Sequence, residues 1–122
     1  MRTRGVRGAI VVKENTRQAI FDATVELLEE ILQKNSIPTE EIASIFLTAT
    51  TDLDAEFPAY AARRMGLTSV PLLCAQEMEV PGAMRSVIRA LIHFNTEKKQ
   101  SEIINRYLGG AQKLRPDQGV EN

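Results

Sequence analysis

A chain of 122 residues, 43% apolar and 25% charged, has the length of one domain and the balance of an ordinary folded protein. Its net charge of −1 and pI of about 5.9 lack the basic excess expected of a nucleic-acid binder. No apolar run approaches the ~18 residues of a membrane helix, and the first residues lack the apolar core of a signal peptide. Cys74, the single cysteine, cannot form an intrachain disulfide, so the expectation is a soluble cytoplasmic protein without a membrane partner.

In chain order, residues 2–13 read as a strand, with Arg2, Arg4, Val6, Gly8, Ile10 and Val12 on one face and Arg7, Ala9 and Val11 on the other. Asn15, with Gln18 three residues on, reads as a helix N-cap. Ile20, Val25, Leu27, Leu28, Ile31 and Leu32 then recur at helical spacing to about Lys34. Asn35-Ser36-Ile37-Pro38 breaks that helix, and residues 43–50 read as a mostly buried strand. Pro58 suits a first helical position and Gly66 lies beyond a last one, which predicts a short helix over 58–65. Residues 69–74 read as a strand that Pro71 confines to an edge or a bulge.

After the Pro81-Gly82 turn, residues 84–94 read as a long strand. Arg85, Val87, Arg89, Leu91 and His93 share one side, and Ile88, Ala90, Ile92 and Phe94 share the other. A helical turn over 100–106 and a brief strand over 111–114 complete a single domain of residues 1–117, and 118–122 form a polar, mobile tail. The order predicts an α/β fold with helices on one face of a mixed sheet. Two strands are apolar on both faces, so a second copy of the chain is the economical cover for the open face.

The usual catalytic arrangements are missing. No Gly-rich loop joins a strand to a helix, and no Cys/His cluster has zinc spacing, so neither metal nor cofactor is expected. His93 and Cys74 read first as packed residues. Ten arginines outnumber five lysines, an excess that suits carboxylate recognition, although codon bias or thermal adaptation would also produce it. Arg7 and Arg89 stand in strand positions flanked by apolar residues, where a guanidinium needs either a bound anion or a protein carboxylate such as Glu77 or Glu79.

The same positions carry a resemblance. Arg4-Gly5-Val6-Arg7-Gly8-Ala9, Thr48-Ala49-Thr50 with Asp52-Leu53, and Phe57-Pro58-Ala59 resemble the AroH-type chorismate mutases in order and spacing. So do Val70-Pro71, Cys74-Ala75-Gln76-Glu77-Met78, Arg89, and Tyr107-Leu108 leading to Leu114-Arg115-Pro116-Asp117. The resemblance implies a trimeric pseudo-α/β-barrel assembly with active sites between subunits, converting chorismate to prephenate without a cofactor. It implies that Arg89 donates to the ether oxygen and the side-chain carboxylate of the substrate. Arg7, assisted by Tyr107, would hold carboxylate, and Glu77 would accept from the ring hydroxyl. Cys74, with the backbone of Leu73 and Ala75 and beside Gln76, would line the floor. Phe57 and Leu114 would form apolar walls, and Arg63 and Arg115 would stand at the mouth. Tyr60 occupies a position where relatives often carry lysine, which removes one charge from the entrance. Two rivals remain open at this stage: a trimeric carboxylate-binding module of the Rid type, and a structural trimer in which Arg7 and Arg89 are ion-paired.

Overall fold

The structure, a computed structural model, describes residues 1–114. Seven main elements follow one another: β1 (Arg2–Val11), α1 (Arg17–Lys34), β2 (Ile42–Ala49), α2 (Pro58–Arg64), β3 (Leu72–Gln76), β4 (Val87–Thr96) and β5 (Arg106–Leu108). The five strands form one sheet in the order β3-β2-β4-β1-β5. Central β4 is antiparallel to both β1 and β2, while β3 and β5 join the outside in parallel. No helix among the described residues is long and apolar enough to cross a membrane.

Strand alternation sorts the side chains into two faces. Val6 and Ile10 of β1, Ile45 and Leu47 of β2, and Ile88, Ile92 and Phe94 of β4 point to the face covered by the helices. There α1 buries Ile20, Ala23, Leu27, Leu28 and Ile31, a stripe three and four residues apart. Each fully buried Leu or Ile of this kind stabilises the fold by about 1.5–3 kcal/mol. Gly8 sets how closely α1 approaches: a Cβ there would lie 2.6 Å from Ile31 Cδ1 and 2.9 Å from the Arg106 carbonyl oxygen. The opposite face carries Arg7, Ala9, Phe46, Thr48, Leu73, Arg89, Leu91, His93 and Tyr107; neither α1 nor α2 packs on it, and among the described residues the turn at Ala111–Leu114 covers its Ala9–Tyr107 end. Leu73 is 59% exposed and Phe46 39%, so this face is apolar but open.

Several boundaries differ from the sequence reading, each for a local reason. The cap of α1 is Thr16, whose hydroxyl accepts from Ala19 N. Asn15 turns away and accepts from the backbone N–H groups of Asp54 and Ala55. Pro71 precedes β3 instead of lying inside it, with its carbonyl accepting from Ile45 N, and β3 is an edge strand as the proline requires. Ser86 has φ +60°, so the β4 ladder begins only at Val87 and runs on to Thr96. The expected turn over 100–106 is confined to Gln100–Glu102, because Arg106 is already paired with β1. The last strand is therefore β5, and residues 111–114 form a 3-10 turn after Gly109 and Gly110, both at positive φ.

Two buried polar groups fasten the C-terminal segment to α1. Arg106 is buried and places a terminal nitrogen 2.7 Å from Glu30 of α1. Asn35, just past α1, donates to the carbonyls of Ile31 and Ile104 and accepts from Ile104 N at 2.7 Å.

Candidate active site

The open face holds a cavity of about 280 Å³ lined by Arg7, Phe46, Thr48, Glu77, Arg89, Leu91 and Tyr107. Register explains the grouping. Thr48, Arg89 and Ala9 lie side by side across β2, β4 and β1, and Tyr107 extends the row on β5. Arg7 lies two residues before Ala9 on the same face, opposite Leu91. Glu77 follows β3 directly, and its backbone N–H donates to Ala49 O at 2.9 Å. Its carboxylate accepts from the Thr48 hydroxyl and forms an ion pair with Arg89, Nε to Oε2 at 3.3 Å. The Tyr107 ring is 3% exposed and packs with Ala9, Val87 and Ala111, with partly buried Leu114 against that cluster.

The remaining expected residues lie elsewhere on the chain. Phe57, Cys74, Ala75 and Gln76 line a second cleft of about 420 Å³ with Ala49, Thr50 and the 53–56 loop. The alternation of β3 sends Cys74 toward the helices, while Leu73 points to the open face. Phe57 stands 70% exposed at the start of α2. Behind it Glu56 accepts from Phe57 N–H and from Arg17, which hold its carboxyl below its ordinary value. Burial pushes the Cys74 thiol up, only partly offset by the Ala59 N–H and the positive charge of Arg63, which favours the neutral thiol as a wall of the cleft. Arg63 itself is exposed in the last turn of α2. Arg115 lies outside the described residues.

A polar tie fixes the loops beside both clefts. Burial disfavours the charge of Asp52, but hydrogen bonds from Thr50 and from the hydroxyl and N–H of Ser86 outweigh it, leaving the carboxyl below its ordinary value. Thr50 in turn accepts from Val87 N at 3.0 Å, which locks the end of β2 to the start of β4.

The structure thus brings together Arg7, Glu77, Arg89 and Tyr107, and separates them from Phe57, Cys74 and Gln76. Their apolar strand neighbours do not bury Arg7 and Arg89 within one chain: Arg7 is exposed and the Arg89 side chain is 46% exposed, because neither α1 nor α2 covers that face. Among the described residues the buried arginine is Arg106, paired with Glu30 of α1. Arg89 does have a carboxylate partner, Glu77, one of the two candidates that its position required. Thr48 also lines this cavity and was not among the expected site residues; in sequence it is one of two hydroxyls, with Ser44, that flank Phe46 on that strand face. Among the described residues, no group of three or more His, Cys, Asp or Glu could hold a metal ion.

These features can be set beside known proteins. The family profile described as chorismate mutase type I matches residues 3–118. The chain is 49% identical over 115 residues to chorismate mutase AroH of Thermus thermophilus, covering 93% of this chain and 94% of that protein. It is 40% identical over 118 residues to chorismate mutase AroH of Bacillus subtilis, covering 96% and 93%. A solved chorismate mutase from Clostridium thermocellum superimposes with a TM-score of 0.88 at 45% identity, covering 89% of this chain and 97% of that one.

Proposed function

The chain belongs to the chorismate mutase type I family, and from that membership we infer how its own residues carry out the rearrangement of chorismate to prephenate. The reaction is unimolecular: one C–O bond breaks, one C–C bond forms, and no proton moves. The protein gains nothing by bringing reactants together, so it acts by selecting the reactive conformer and by stabilising charge that gathers on the ether oxygen. Arg89 supplies that stabilisation, since a guanidinium is always charged and offers donors to ether oxygen and carboxylate together. Arg7 and Tyr107 hold carboxylate, and Glu77 accepts from the ring hydroxyl. The observation that carries this reading is the convergence of Arg7, Arg89, Glu77 and Tyr107 on one cavity of the open face.

The active unit is a homotrimer with its sites shared between subunits. Two observations support this. The open face exposes Leu73 and Phe46, whose cover must come from another surface. The residues that the resemblance assigns to one site also fall in two separate clefts of one chain, as expected if neighbouring copies join them. Phe57, Arg63, Cys74, Ala75 and Gln76 then complete the site from the adjoining subunit. Leu114 closes it from the side of Tyr107, and the charge of Arg115 draws in the substrate, with no cofactor involved. A lone cysteine suits a cytoplasmic enzyme acting on this small-molecule substrate. Following the loss of chorismate absorbance in the ultraviolet tests the activity. Absence of turnover in the folded protein would refute it.

A further inference from the structure

Thr48 is the one polar side chain lining the open-face cavity to which no role has yet been given. It is the direct register partner of Arg89 across β2 and β4. Its hydroxyl donates to Oε2 of Glu77, and that same oxygen receives Nε of Arg89 at 3.3 Å. The backbone of Glu77 is fixed independently by its N–H donating to Ala49 O. Main chain therefore sets where Glu77 begins, and Thr48 sets where its carboxylate ends. Among the described residues, no hydrogen bond occupies Oε1 of Glu77.

We propose that Thr48 is a positioning residue for the rearrangement, holding the Glu77 carboxylate so that Oε1 serves the substrate hydroxyl and the Arg89 terminal nitrogens serve the ether oxygen. A glutamate side chain has a broad terminal torsion, and an arginine fork favours bidentate pairing with a carboxylate. An untethered Glu77 is free to slide from Nε onto the terminal nitrogens of Arg89. The fork is then spent on the protein's own carboxylate and no longer meets the developing charge. Tying Oε2 to Thr48 keeps the contact at Nε and leaves the fork to the substrate. The proposal rests on the roles of Glu77 and Arg89 inferred above.

Steady-state kinetics and thermal melts of Thr48→Val, Thr48→Ser and Glu77→Gln, and of the double variant Thr48→Val with Glu77→Gln, test it. Valine is nearly isosteric and suits a strand, so Thr48→Val should melt like the parent; Thr48→Ala is the second removal variant should it not fold. We expect kcat to fall about tenfold or more in Thr48→Val, with KM moving less, as befits a lost hydrogen bond to a charged group. Serine, which keeps the hydroxyl, should restore most of kcat. The double variant should be no slower than Glu77→Gln alone, because Thr48 acts through that carboxylate. Parental kcat in Thr48→Val beside a slow Glu77→Gln would overturn the proposal alone. So would serine as slow as valine, or losses that multiply in the double variant. Parental kcat in Glu77→Gln would instead remove the role of Glu77, and this proposal with it.

Discussion

Arg89 and Glu77 meet through Nε and Oε2 at 3.3 Å on a face where the arginine side chain remains 46% exposed. An ion pair that open adds only about 0–1 kcal/mol to stability. Arg89→Lys and Arg89→Gln should therefore melt within a few degrees of the parent. Losing one donor to a developing charge in a dry site costs far more, roughly a hundred- to a thousandfold in kcat. Lysine keeps the charge without the fork, and glutamine keeps neither, so glutamine should be the slower variant. A large drop in melting temperature with near-parental turnover would assign the pair a structural role only.

Activity and stability should respond differently to pH. With no proton transferred in the chemical step, kcat should stay nearly flat through the neutral range, with a solvent deuterium isotope effect close to unity. Stability should fall in acid through Asp52, whose carboxyl is held below its ordinary value by Thr50 and Ser86 despite partial burial. A carboxyl lowered in the folded state binds its proton first in the unfolded chain. Its contribution is thus complete above the unfolded value and is lost as pH falls from about 4 through the folded one. Melts between neutral pH and acid should show Asp52→Asn less stable than the parent at neutrality, with the gap narrowing in acid. A gap that is constant with pH would exclude this role.

Sharing of sites can be read from mixed assemblies. The protein should scatter light as three chains of 13.6 kDa each. Arg89→Gln disables the open-face half of a site, and Phe57→Asp disables the half on the other cleft. Unfolding the two variants together and refolding them should produce assemblies in which one cleft combines both intact halves. Activity several-fold above the sum of the separate variants is expected. No recovery in a properly assembled mixture would place the whole site within one chain.

Gly8→Ala should lower stability by roughly 1–3 kcal/mol through overpacking. The new methyl would press on Ile31 Cδ1 and on the Arg106 carbonyl. Adding Ile31→Val removes the first clash but not the second, so a melt of the double variant should show partial recovery. A Gly8→Ala protein as stable as the parent would mean that α1 can shift away without cost.

Periodicity made the inner core readable: the α1 stripe and the alternation of β4 place Leu27, Leu28, Ile31, Ile88 and Ile92 where they are buried. Pro71 announced an edge strand for the plain reason that it lacks an N–H. What stayed hidden depends on partners distant in sequence. Arg106 and Asn35 look like surface residues until the C-terminal segment docks on α1. Asn15 and Thr16 are equally good caps on composition, and only the 53–55 loop decides between them by engaging Asn15. At the site, resemblance named Arg7, Arg89, Glu77 and Tyr107, and the sheet register shows why they converge. Thr48 could not be singled out from its hydroxyl alone, because its partner, Glu77, stands 29 residues away on another strand's exit.

The sheet order has a consequence for synthesis. The first strand made, β1, takes its two neighbours from β4 and β5, and β2 also waits for β4 as its antiparallel partner. Arg7 N reaches Asn105 across a separation of 98 residues. A chain emerging from the ribosome can therefore wind α1 early, yet β1 remains an unpaired strand until β4 has been made. Contacts of such range slow folding, and an exposed edge in the interval invites pairing with another nascent chain. Tyr107, on the fifth strand, reaches its neighbours in the pocket only after the other four strands have been made.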